Sequence, residues 1–147
     1  VLSTLHTNTA AGAITRLQDI GVDSFLLAST IRGIVAQRLL RKLCEYCREE
    51  IACDEFQSNL LGLKVGDSIY QAAGCQQCKN TGFHGRQALF ELVVIDSELQ
   101  NLIHEDAGEL ILEEAVRSKT PSIRDAGFEQ VRLGTTTIEE VLRVTSL

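Results

Sequence analysis

Four of the five cysteines fall into two pairs of identical spacing, Cys44 with Cys47 and Cys75 with Cys78, and residues 48 to 74 lie between them. Two C-x2-C pairs suit a tetrahedral ion. Each pair spans one edge of the tetrahedron, and the turn after it aims the sulfurs inward. Four thiolates around Zn2+ carry a charge of about −2, which neighbouring cations offset. Arg41, Lys42, Arg48, Lys79 and Arg86 are all close in sequence. The expected cofactor is therefore structural zinc on Cys44, Cys47, Cys75 and Cys78. With all four positions filled, such an ion is a folding device with no open position for catalysis.

Two other uses of cysteine compete with this one. Disulfides need an oxidising compartment and would leave Cys53 unpaired. A thioredoxin-like redox pair sits between a strand and the start of a helix, where the helix N-terminus lowers the thiol pKa. The sequence puts Cys44 at the end of a helix, the wrong end for that effect. Cys53 reads as a small buried hydrophobe.

The chain has about one domain's length, and 44% hydrophobic with 23% charged residues is enough to build a core. A net charge of −6 with 5% aromatic residues argues against a nucleic-acid surface. Basic residues do concentrate between 38 and 48, but they flank the expected metal. No uncharged apolar run reaches the ~18 residues of a membrane span. The best candidate, FLLASTIRGIVAQRLLRKL, is interrupted by Arg32, Gln37, Arg38 and Arg41. The chain opens on VLSTLH and contains no Met, so it reads as cut from something longer.

VLSTL reads as a short strand, followed by Thr7 or Asn8 as the cap of a helix over AAGAITRLQDI. That helix puts Ala10, Ala13, Ile14 and Leu17 on one face and stops at Gly21. A second helix opens at Asp23 or Ser24 and runs to Leu43, since Leu27, Ile31, Val35, Leu39 and Leu43 recur every four residues. Arg38, Arg41 and Lys42 then complement the dipole in its last two turns. Between the cysteine pairs, DEFQSNLLG predicts a short helix from an Asp54 cap to a Gly62 stop, and DSIYQAAG a strand. KNTGFHG is a turn. RQALFELVVI is apolar on both faces, which predicts a strand buried on both sides.

The remainder predicts helices. One opens at Asp96 or Ser97, one spans GELILEEAVRSK, and one ends at Gly134. The last starts at Thr137 with Glu140 as its capping-box partner and a Glu139–Arg143 pair.

VLSTLHTNTAAGAITRLQDIGV resembles the histidine-box segment of the type II secretion and type IV pilus assembly ATPases. AQRLLRKLCEYC and GCQQCKNTGFHGRQALFEL resemble the tetracysteine region of the same family, and GFEQVRLGTTTIEEVLRVT its C-terminal end. The resemblance implies an α/β to α+β fold, mostly helical: the C-terminal part of a RecA-like P-loop NTPase domain with a zinc lobe and a helical end. It implies three parts. Residues 1–43 would be the last strand and helices of the ATPase core, 44–95 the metal-binding lobe, and 96–147 a helical region.

The family hydrolyses ATP with Mg2+ in a homohexameric ring. The ring lies on the cytoplasmic side of the bacterial inner membrane and drives pilin or pseudopilin assembly through membrane platform proteins. His6 matches the box histidine, which the resemblance places near the terminal phosphate, a catalytic role. The chain has no G-x4-G-K-[ST] motif, hence no backbone cradle for phosphates, so ATP belongs to a full-length parent and this part alone is expected to be inactive. Arg86 matches a position the family shares. His84 could replace a cysteine ligand, although four cysteines suffice, and His104 is expected on a helix surface. The competing reading is a free-standing zinc module that binds protein or nucleic acid; a redox enzyme comes third.

Overall fold

The computed structural model describes residues 1–7 and 9–146. Among these, four strands form two two-stranded sheets: β1 (Gly33–Leu43) pairs with β4 (Phe83–Val94), and β2 (Glu49–Ala52) with β3 (Ser68–Gln71). The helices are α1 (Ala10–Asp19), α2 (Ser24–Thr30), α3 (Glu55–Leu61), α4 (Ser97–His104), α5 (Glu109–Arg117), α6 (Ile123–Arg132) and α7 (Ile138–Thr145). The architecture is thus mixed helix and sheet. The chain divides into two compact units, each made of two separate stretches. One is Val1–Ala36 with Phe90–Ser122, and the other is Gln37–Leu89 with Ile123–Ser146. No helix of the described residues is long and apolar enough to cross a membrane.

In the first unit, residues 1–7 form no regular element, so the strand expected over VLSTL is absent. A strand is held by its ladder, and no described strand pairs with this segment. The cap of α1 is Thr9, whose Oγ1 accepts from the Gly12 N–H at 2.9 Å. Thr7 is not that cap, and Asn8 lies outside the described residues. Ala10, Ala13 and Ile14 are buried as the spacing requires.

The helix expected to run to Leu43 ends at Thr30, and β1 takes up the rest. A repeat of four is even, so it keeps side chains on one face of a strand as well as of a helix. Gly33 disfavours helix and Ile34 and Val35 lean towards strand, and pairing with β4 decides between the two. Val35 and Leu39 consequently point outward, 61% and 46% exposed, while Leu40 is buried. β4 departs from expectation in the same way. Leu89, Glu91 and Val93 are buried, but Phe90, Leu92 and Val94 are exposed, because only one face of this two-stranded sheet is packed.

The core of the first unit gathers Ile14, Leu27, Val93, Ile103, Leu112 and Val116. Glu91, buried within it, is matched by Arg117, which also pairs with Glu113. A buried carboxylate needs such a partner, since an unpaired charge there costs several kcal/mol.

In the second unit, β2 and β3 run antiparallel, with Ile51 opposite Ile69. α3 forms as read: Asp54 and Gln57 make a full capping box, and Gly62 closes the helix at φ 64°. Leu40, Leu61, Ile69, Phe128, Val131 and Val141 share one core. α6 and α7 approach closely at Gly127, where a Cβ would lie 2.6 Å from Val141 Cγ1.

Thr137 caps α7, its Oγ1 accepting from the Glu140 N–H at 3.3 Å. The other half of the expected box does not form, nor does the Glu139–Arg143 pair. Glu140 is 1% exposed and takes both Arg41 and Arg143 as counter-charges. A buried carboxylate demands charge partners that the exposed Glu139 does not.

Candidate metal centre

Each cysteine pair is set by its local backbone. Cys44 follows directly on β1, where its N–H donates to the Gly82 carbonyl at 2.9 Å. The chain then turns, with the N–H groups of Cys47 and Arg48 both donating to the Cys44 carbonyl. The expectation that Cys44 ends a helix is thereby corrected. No helix starts after Cys44 either, so the pair still lacks the helix N-terminus of a redox motif. Gln76–Cys78 form a short 3-10 turn that follows Cys75 in extended conformation, after which Lys79 and Asn80 take left-handed conformations at φ 55° and 61°. Gly74 and Gly82 flank it at φ 131° and 75°.

The four sulfurs lie within 4.8 Å of one another. Cys44 and Cys75 Sγ are 3.9 Å apart, Cys47 and Cys78 are 3.8 Å apart, and Cys75 and Cys78 are 3.8 Å apart. A disulfide would need about 2.05 Å. A tetrahedral ion with metal–sulfur bonds of about 2.3 Å holds its ligands about 3.8 Å apart. The donor set and its spacing therefore fit a tetrahedral, thiophilic divalent ion. Among the described residues this is the one group of three or more clustered potential ligands, and His84 is not part of it.

The charge compensation comes from an unexpected source. Arg41 pairs with Glu140, while Arg48 donates to the Gly134 carbonyl at 2.8 Å and lies over the Tyr70 ring. Backbone N–H groups contribute as well: those of Cys75 and Gly82 each donate to Cys78 Sγ at 3.2 Å. Burial pushes the Cys78 thiol up, but these donors together with hydrogen bonds from the Cys47 and Cys75 thiols outweigh it and bring it down to about 6. Cys47 moves the other way, to about 12, through burial and the neighbouring sulfurs. Crowded sulfurs resist full ionisation, and a divalent cation relieves that repulsion.

Gly82 is the residue that most tightly joins backbone to site. A Cβ there would sit 2.6 Å from Ala72 Cβ, at a φ that side chains rarely adopt. We expect Gly82→Ala to cost about 2 kcal/mol in denaturant unfolding of the reduced chain. An unchanged midpoint would mean that this turn is not held as described.

Cys53 is apart from the four, 2% exposed in the core of the second unit, and burial raises its thiol pKa. His6 belongs to the other unit, exposed in the segment without regular structure, so the expected strand end beneath it is missing. Arg86 and His84 are exposed on β4. His104 is exposed at the end of α4, its ring edge-on to Phe25 with centroids 5.8 Å apart. The sequence reading missed the Arg41–Glu140–Arg143 cluster. Its one signal was an acid at the third position of α7, which capping explains equally well.

The family described as type II/IV secretion system protein matches residues 1–143. The chain is similar to the type II secretion system ATPase E of Vibrio cholerae, 48% identical over 147 residues. It is 46% identical to the type II secretion system protein E of Aeromonas hydrophila and 48% identical to that of Pseudomonas aeruginosa. In each case the match covers 99% of this chain and 29% of the relative, so the chain spans under a third of their length.

Proposed function

Because the chain belongs to the type II/IV secretion system protein family, we propose that it is the C-terminal part of a motor ATPase that powers type II secretion. The observation that carries this reading is the 48% identity, along the whole chain, to a protein named as a secretion ATPase. In the parent, ATP and Mg2+ bind a P-loop that this sequence does not contain. The parent works as a homohexameric ring at the cytoplasmic face of the inner membrane and engages membrane platform proteins of the secretion machine. Type IV pilus assembly is the related task within the same family; the names of the similar proteins favour secretion.

In this reading His6 lies close to the terminal phosphate of bound nucleotide and senses or assists its hydrolysis. Cys44, Cys47, Cys75 and Cys78 hold Zn2+, which closes the turns at the end of β1 and the start of β4 and contributes folding free energy, not chemistry. Residues 1–43, 44–95 and 96–147 serve as core segment, metal lobe and helical end.

The test is a chimera in which this chain replaces the matching segment of the Vibrio cholerae protein. Secretion should be restored, and His6→Ala in the chimera should lower ATP turnover by about a hundredfold. A chimera that folds but neither turns over ATP nor secretes would defeat the proposal. The 147-residue chain alone should show no ATP turnover above buffer, for want of a phosphate cradle. Turnover that co-purifies with the chain and survives removal of contaminants would contradict that.

A further inference from the structure

In the second unit, a cleft of about 350 Å³ opens beside the Arg41–Glu140–Arg143 cluster, with Phe83, Ala72 and Glu139 also on its walls. Glu140 engages only one edge of each guanidinium. Its Oε2 accepts from Arg41 Nε at 3.1 Å and Nη2 at 2.8 Å, and from Arg143 Nε at 2.9 Å, while its Oε1 accepts from Arg143 Nη2 at 2.6 Å. Neither Nη1 group makes a hydrogen bond among the described residues, and the two side chains are 47% and 56% exposed. Arg41 is further fixed over the Phe83 ring, 4.2 Å from its centroid. Two guanidiniums are thus held by one buried carboxylate, each with its outer donors available, beside an apolar wall.

Charge selects the ligand. Arg41 and Arg143 against Glu140 leave one positive charge, and Glu139 on the same walls offsets it, so an anion of one charge is repelled less than an anion of two. A phosphate dianion would bring twice the negative charge of a carboxylate beside Glu139. The planar forks of Arg41 and Arg143 match a carboxylate geometrically. A cleft of this volume takes more than a bare carboxylate, and Phe83 with Ala72 offers apolar contact to whatever carries it. Glu139 is exposed and pairs with neither arginine, although it stands four residues before Arg143. Its charge on the cleft wall repels an anion approaching those donors.

We propose that this cleft receives an acidic side chain of a protein partner, a Glu or Asp flanked by an apolar residue, on the outer donors of Arg41 and Arg143. The probe is a blocked peptide with one Glu between two Leu residues, titrated calorimetrically into the 147-residue chain against its Gln counterpart. The Glu peptide should bind about fivefold more tightly. Arg143→Gln should erase that preference, and Glu139→Gln, on the exposed side of α7, should strengthen Glu-peptide binding about threefold by removing a repelling charge. Equal binding of the two peptides overturns the proposal, as does a preference that Glu139→Gln leaves unchanged. Acetate displacing the peptide at equal concentration would assign the cleft to free small carboxylates and overturn the protein partner. Tighter binding of inorganic phosphate than of acetate would overturn the carboxylate itself.

Discussion

Cys75→Ser is expected to leave the reduced chain without bound zinc and to lower its melting temperature by about 15 °C. Cys75 supplies two of the three sulfur–sulfur spacings of 3.8 to 3.9 Å that fit a tetrahedral ion, one to Cys44 and one to Cys78. Structural zinc in small domains contributes an apparent binding free energy on the order of 10 kcal/mol, so the loss of one of four ligands removes several kcal/mol. About 4 kcal/mol in a chain of this size corresponds to a shift of that order. Cys44→Ser should act alike, because a tetrahedral site has no privileged corner. Cys53→Ser is the control: it sits in the core outside the cluster, so it should keep its zinc and lose only about 1 kcal/mol. Elemental analysis together with a melting curve decides the matter. Zinc retained at one per chain in both cluster variants, with unchanged melting, would end the case for a metal staple.

The second large effect centres on Glu140. Burial alone would raise its carboxyl, but hydrogen bonds from Arg143 and Arg41 outweigh it and hold the pKa at about 2. It also accepts the Arg41 backbone N–H at 2.8 Å. Glu140→Gln should cost about 3 kcal/mol, since it leaves two guanidiniums facing a neutral amide. The pH dependence has a definite direction. A carboxyl whose folded pKa lies below its unfolded value stabilises fully above about pH 4.5, and that contribution drains away as pH falls towards 2. The wild type should therefore lose about 3 kcal/mol across this window beyond what Glu140→Gln loses. Parallel stability curves for the two proteins between pH 5 and 2 would show that the cluster carries no such linkage.

What could be read beforehand divides by the range of the interaction. Asp54, Gln57 and Gly62 fix α3 through contacts three or four residues apart, and both ends of that helix were legible. The cysteine spacing announced its own cluster, because ligand geometry constrains sequence directly. β1 was not legible. Its four-residue repeat satisfies a helix and a strand equally, and what makes it a strand is pairing with β4, far along the chain. β2 was missed because Glu49 and Glu50 hide the one half-buried apolar residue, Ile51, that faces Ile69. Glu140 looked like a capping residue because one of its two arginine partners, Arg41, is 99 positions away. For His6 the difficulty is of another kind: the segment has no paired strand among the described residues, so its role rests on resemblance alone.

The alternation of the chain between its two units bears on how the protein can be dissected. Gln37–Leu89 holds all four clustered cysteines, and Ile123–Ser146 completes the same unit from the far side of Phe90–Ser122. A contiguous excision from 37 to 89 would keep every metal ligand. It would also strip Leu40, Leu61 and Ile69 of Phe128, Val131 and Val141 and remove the acid that holds Arg41. No single pair of cut sites isolates the metal lobe with its packing intact. Fusing residue 89 to residue 123 through a short flexible linker would preserve both stretches in one shorter polypeptide, and limited proteolysis between 90 and 122 should yield two pieces that stay associated until denatured.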